Sequence, residues 1–375
     1  ETLLGRVPER QQSKDIWVLS DRPVVPFSLM SGLQAVTDFR RGSDLPSRVA
    51  DHLLWLGRYL ERAEGLIRLL RAIFRRLVGE ARSGDIPELP FLLDLLRGEN
   101  TLPPASDGGD GIPLYRELTA HLDEVLYRKD RPESVAAILK RVRDAARHVR
   151  DRLSRDAWRV INRLEESADM PAGDPLELLD DTLFTLSAFS GLAMESMTRG
   201  LGWRFMDMGR RVERALNLAG LIRVGLPLLC AESRSALEAL LEVADSIMTY
   251  RARYRTAFQL APVLDLLIAD GDNPKSLAFQ LHQLAEHAAH LPPPGVPDLV
   301  HAEAGLVQDM CRAVEQVVLT GLRCHEGGVD KGVLTVFLES IESGLKDFAQ
   351  QISAHYLSRV PATPHFSMLP GQRRP

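Results

Sequence analysis

The chain has 375 residues, of which 45% are hydrophobic and 26% charged, with a formal net charge of -5. That content can bury one large core or two modest ones and excludes a disordered chain. The acidic balance argues against a nucleic-acid binder built on a broad basic face. Three cysteines, Cys230, Cys311 and Cys324, lack metal-ligand spacing and point to reduced thiols. No apolar run is long enough to span a bilayer, and the first residues lack a signal-peptide core. The expectation is a cytoplasmic chain with neither nucleic acid nor membrane among its partners. Its start at Glu1 suggests a processed product or a segment of a longer polypeptide.

Residues 1–44 carry one β-prone run, Asp15-Ile16-Trp17-Val18-Leu19, then Pro23 and Pro26. A single strand is not stable alone, so this extended arm either pairs with a sheet edge, in cis or in trans, or lies loosely over the rest. From 45 to 77 the apolar residues Val49, Leu53, Leu56, Leu60, Ala63, Ile67, Leu70, Phe74 and Leu77 advance in steps of four and three. That is one stripe of a long helix. Residues 83–113 read as a surface loop around a short helix at 91–96. Helical periodicity resumes at 114–127 and 132–164, with a break near Ser154.

Asp130-Arg131-Pro132 and Asp174-Pro175 read as helix starts. Two helices are expected within 175–226. Further helices are predicted at 235–260, 262–268, 274–290, 298–322 and 332–356, with Asn273 as N-cap and Pro274 in the first turn of the third of these. Residues 361–375 are Pro- and Arg-rich and read as a disordered tail. The predicted fold is all-α: a multi-helix bundle over 45–360, preceded by the short extended arm.

Gly57-Arg58-Tyr59-Leu60-Glu61-Arg62-Ala63 returns as Gly209-Arg210-Arg211-Val212-Glu213-Arg214-Ala215, with five of seven positions identical. At the same offset the stripe Val49 to Phe74 maps onto Leu201, Phe205, Met208, Val212, Ala215, Ala219, Ile222 and Leu226. An internal duplication follows. Glycine inside a helix costs about 1 kcal/mol relative to alanine, so its presence in both copies implies close approach of a backbone or a ligand.

Each copy also sets two arginines beside one glutamate. Arg58, Glu61, Arg62, Arg210, Glu213 and Arg214 are read either as a paired anion-recognition site or as inter-helix ion pairs that fix register. Trp203, Tyr250 and Arg251 are lesser ligand-binding candidates. Arg251 and Arg255 are expected on one helix face, Tyr250 and Tyr254 on the next. Arg143, Arg147 and Arg150, with Trp158 and Asn162, read as an electrostatic surface. His282, His287 and His290 fall on different faces and suggest no metal pair. No catalytic residue, cofactor or metal is expected from these patterns.

LPSRVADHLLWLGRYLERAE and GWRFMDMGRRVERALNLAGLI resemble the two signature helices of the bacterial alpha-E family. TYRARY, NPKSLAFQL and RDAARHVRDRLSRDAWRVIN resemble further blocks of it. Ser13-Lys14-Asp15-Ile16-Trp17-Val18-Leu19 is similar to the closing segment of circularly permuted ATP-grasp proteins, although Gln11-Gln12 stands where glycines usually precede it. The resemblance implies association with an ATP-grasp amidoligase, fused or separate, and a transglutaminase-like protease as a further partner, in a system that makes or attaches small peptides. The expected role is an accessory or substrate-presenting module. The alternatives are an enzyme acting on amides with Glu61 or Glu213 as acid/base, and a purely structural oligomerisation module.

Overall fold

A computed structural model describes residues 45–80, 86–98, 115–168, 174–229, 233–255, 257–292, 302–317 and 329–357, all within the unit that begins at Leu45. The expected extended arm, the tail, Cys230 and Cys324 lie outside the described residues. Among the described residues every regular element is helical. None of these helices is long and apolar enough to cross a membrane. Cys311 is a free, half-buried thiol.

The long helix predicted first is α1 (Ser47–Glu80). It is followed by α2 (Leu89–Gly98), α3 (Tyr115–Tyr127), α4 (Val135–His148), α5 (Arg155–Ala168) and α6 (Pro175–Ser196). The second copy opens with α7 (Leu201–Leu229), then α8 (Arg234–Val243), α9 (Ile247–Tyr254), α10 (Leu260–Leu264), α11 (Leu277–Ala289), α12 (Ala302–Val317) and α13 (Lys331–Ile352). α1 packs on α4 and α6, with α5 between those two; α7 packs on α11 and α13, with α12 between them. Each copy is therefore a four-helix unit, and the two long helices join them through the most extensive helix–helix interface described. The stripes meet there: Leu53, Leu56, Ile67 and Leu70 on α1, and Met208, Ala215, Ala219 and Ile222 on α7, are all fully buried.

Several helix starts differ from the sequence reading. Asp174 does cap α6, accepting from the Leu176 N–H at 2.9 Å, with Pro175 in the first turn. α4 is capped by Ser134 rather than by the Asp130 segment: its hydroxyl accepts from Ala137 N–H at 3.1 Å and donates to Arg128 C=O at 2.6 Å. α11 is capped in the same way by Ser276, which accepts from Phe279 N–H at 3.0 Å and donates to Asp270 C=O. Asn273 instead donates to Leu266 C=O at 3.0 Å and accepts from Lys275 N–H at 3.1 Å, closing the turn before the helix. Pro132-Glu133-Ser134 and Pro274-Lys275-Ser276 are thus equivalent corners of the two copies.

The single helix expected over 235–260 is two. α8 ends in a Schellman turn, with Ser246 N–H on Leu241 C=O at 2.8 Å and Asp245 N–H on Glu242 C=O at 3.1 Å. Asp245 occupies the left-handed position with φ 54, where glycine is usual. Arg255, at φ 51, ends α9 in the same conformation. It therefore lies outside the helix and cannot share a helical face with Arg251.

Candidate functional site

α1 and α7 cross where both lack a side chain. A Cβ on Gly57 would stand 2.0 Å from Met206 C=O, and one on Gly209 2.1 Å from Leu54 C=O. Backbone meets backbone, so the gap each glycine leaves is filled by the other copy. The charges beside it are exchanged in the same way. Glu213 accepts from Arg58 Nε at 2.8 Å and Arg62 Nε at 2.7 Å. Glu61 accepts from Arg210 Nε at 3.0 Å, Arg214 Nε at 2.8 Å and Arg214 Nη2 at 2.6 Å. Each carboxylate is received by the two arginines of the opposite copy, and both are 4% exposed.

This geometry bears directly on the two readings of the motif. The six residues are brought together, with their guanidinium groups turned on protein carboxylates and their carboxylates held by two forks each. Such a cross fixes the register of two long helices. A glutamate so held could meet a substrate only after releasing two guanidinium groups.

The three lesser candidates lie elsewhere. Trp203 is buried at the start of α7, with Arg199 4.3 Å over its ring and His287 edge-on at 4.9 Å. Tyr250 is fully buried; its hydroxyl donates to Ala257 C=O at 3.1 Å and accepts from Gln259 N–H at 3.2 Å, which anchors the loop after α9. Arg251 is exposed and pairs with Glu238 at 3.2 Å. Arg150 stacks 5.0 Å over Trp158.

Two groupings escaped the sequence reading. The first joins α7 to α11. Buried Asp207 lies 2.8 Å from His287 Nε2 and 3.1 Å from Arg211 Nε, and Arg211 Nη1 donates to Gln280 at 3.1 Å. Burial would raise the Asp207 carboxyl, but His287, Arg211 and Arg210 hold it well below the usual carboxylate range. In the first copy the positions equivalent to Asp207 and Arg211 are Trp55 and Tyr59, stacked at 5.3 Å.

The second grouping borders an open-sided cavity of about 260 Å³ lined by α1, α7, α2, α4, the end of α8 and the corners before α4 and α11. Equivalent residues of the two copies both line it: Leu66 and Leu218, Leu69 and Leu221, Arg62 and Arg214, Glu133 and Lys275. Gly65 allows its counterpart Asn217 to enter, since a Cβ there would stand 2.8 Å from Asn217 Nδ2. One wall is an alternating charge cluster. Arg68 pairs with Glu64 at 3.0 Å and with Asp245 at 2.8 Å; Lys275 pairs with the same two at 3.0 and 3.2 Å. Burial raises the Glu64 carboxyl, and Lys275, Arg214 and Arg68 more than reverse this, leaving it well below its ordinary value. Arg68 and Asp245 also line a second cavity of about 200 Å³, together with Arg71 and Arg75. Among the described residues no group of three or more His, Cys, Asp or Glu could hold a metal ion.

The family described as "a predicted alpha-helical domain with a conserved ER motif" matches residues 45–357, which span both copies and the crossing between them. The chain belongs to the Alpha-E family. The matched residues include two Glu-Arg dipeptides at the crossing, Glu61-Arg62 and Glu213-Arg214. Uncharacterized proteins of Mycobacterium bovis and Mycobacterium tuberculosis are 30% identical to this Alpha-E chain over 336 residues, covering 83% of it and 37% of their own length. The chain therefore spans little more than a third of the curated relatives it matches. No solved structure matches it at a significant level.

Proposed function

We propose that this Alpha-E domain is a cytoplasmic substrate-presenting module for a circularly permuted ATP-grasp amidoligase, in a peptide-making or peptide-attaching system that also employs a transglutaminase-like protease. The observation that carries the reading is the cavity of about 260 Å³ walled by equivalent residues of both copies. Concave, largely apolar sites with a few convergent charged groups are where small ligands bind. The Glu-Arg crossing is the frame that holds the two walls at a fixed distance.

The length of the curated relatives supports a module working beside further domains, since most of each relative lies beyond the part this chain matches. The similarity of residues 13–19 to the end of an ATP-grasp protein adds to the same reading. Oligomerisation alone would give the cavity no purpose, and an acid/base role would require freeing Glu61 or Glu213 from two guanidinium groups.

Reconstitution with a circularly permuted ATP-grasp enzyme tests this. Phosphate release and the mass of the amide product are followed with and without the Alpha-E chain. Product formation should depend on the chain or accelerate several-fold with it. Equal yields in its absence, with no complex formed, would overturn the proposal.

A further inference from the structure

The cavity's charges are unequally spent. Glu64, Arg68, Asp245 and Lys275 neutralise one another, and Glu61 and Arg214 belong to the crossing. On the α4 wall, by contrast, Arg141 and Glu133 both line the cavity, are half-buried, and have no ion-pair partner among the described residues. Arg141 lies 5.8 Å over the Tyr59 ring, a contact that leaves its N–H donors unspent. The counterpart of Glu133 in the other copy, Lys275, is bound to two carboxylates. The duplication has therefore left one cation and one anion available, both on the same side.

The uncharged part of the lining is largely aliphatic: Leu66, Leu69, Leu95, Ile138, Leu218 and Leu221. Glu133 precedes the N-cap of α4 and Arg141 lies two turns along it, which sets their backbones roughly 12 Å apart at ~1.5 Å per residue. The ends of an extended dipeptide lie roughly 7 Å apart at about 3.5 Å per residue, shorter than that separation by no more than two long side chains can make up. The cavity is also smaller than the ~300–1,000 Å³ typical of drug-sized ligands.

We propose that the cavity binds a short peptide, of dipeptide size, with apolar side chains and both termini free: its ammonium on Glu133 and its carboxylate on Arg141. This rests on the substrate-presenting reading and names the class of molecule presented. A peptide carboxylate is what an amide-forming enzyme would extend, and a bidentate guanidinium is suited to hold it in one orientation.

The test is calorimetric titration of the full chain with Leu-Leu, N-acetyl-Leu-Leu and Leu-Leu amide. Leu-Leu should bind at least tenfold tighter than either blocked form. R141Q should weaken Leu-Leu to the level of the amide without changing the amide's own affinity, and E133Q should do the same for the acetylated peptide. Gly220 lines the cavity and a Cβ there meets nothing within 4 Å, so G220L should fold and abolish binding of all three. Equal affinity for free and blocked peptides, or no binding of Leu-Leu at millimolar concentration, would overturn the inference. If Leu-Leu fails to bind while the chain still drives amide formation, only the ligand class falls. If it binds and amide formation is indifferent to the chain, the amidoligase role falls instead.

Discussion

Gly57 and Gly209 are each other's counterparts, and each receives the backbone of the other's helix: Met206 C=O would lie 2.0 Å from a Cβ on the first, and Leu54 C=O 2.1 Å from a Cβ on the second. Alanine at either site would gain about 1 kcal/mol of helix propensity while driving a methyl group into a carbonyl that cannot rotate away. Overpacking of this kind costs about 1–3 kcal/mol and can exceed that against backbone. G57A and G209A should each be destabilised in urea unfolding, by about 1–2 kcal/mol once the propensity gain is subtracted and by more if the backbone cannot yield. A neutral or stabilising result would mean that the helices cross elsewhere.

The two halves of the Glu-Arg cross are not equally buried. Arg210 and Arg214 on Glu61 have side-chain exposures of 9% and 15%, whereas Arg58 and Arg62 on Glu213 have 17% and 30%. Breaking a buried pair leaves an uncompensated charge at a cost of about 3–5 kcal/mol, reduced where solvent reaches the partner. E61Q should therefore cost more than E213Q. A double-mutant cycle between E213Q and R62A should show a coupling of about 1 kcal/mol or more. Additive effects would indicate that Arg62 does not depend on Glu213.

Asp207 and Glu64 set the acid limit. Burial raises both carboxyls, but His287, Arg211 and Arg210 around the first, and Lys275, Arg214 and Arg68 around the second, hold both below their ordinary values. A carboxyl depressed in the folded state stabilises above its unfolded pKa, about 3.9 for Asp and 4.3 for Glu, and loses that contribution as pH falls through the folded value. Stability measured against pH should thus decline below about pH 4. In D207N the overall stability should be lower at neutral pH and the acid decline shallower. An unchanged acid profile in D207N would dissociate Asp207 from the effect.

Asp245 occupies a left-handed position that a non-glycine residue reaches at a cost of about 1–2 kcal/mol, although Asp tolerates it better than most. Its carboxylate is 44% exposed in the pairs with Arg68 and Lys275, so those pairs contribute little stability. D245G should be as stable as the wild type or more stable, while its cavity wall is loosened and Leu-Leu binds more weakly. A clear loss of stability in D245G would show that the pairs outweigh the strain.

The long helices and their duplication were legible because an apolar stripe and a seven-residue motif repeat without gaps across α1 and α7. The break after α8 was not, because it rests on Asp245 in a conformation usually signalled by glycine. The starts of α4 and α11 were misplaced by weighting the proline; the serine two residues after each Pro132 or Pro274 was the actual cap, and the shared Pro-x-Ser was a readable sign of the duplication. The six Glu-Arg residues were identifiable from spacing, yet their partners were not, since each pair joins positions about 150 residues apart. Within one helix, Glu64–Arg68 and Asp207–Arg211 were readable at i,i+4. His287 offered no pattern at all, since the carboxylate of Asp207 and the ring of Trp203 that it meets lie about 80 residues away in the chain.

The most direct test of a crossing that frames and a cavity that binds is the rate of ATP-dependent product formation by the proposed ATP-grasp partner with G220L, compared with wild type at equal folded concentration. The filled cavity should remove the stimulation while the thermal midpoint stays at or above that of the wild type. Full stimulation by a folded G220L would contradict the account.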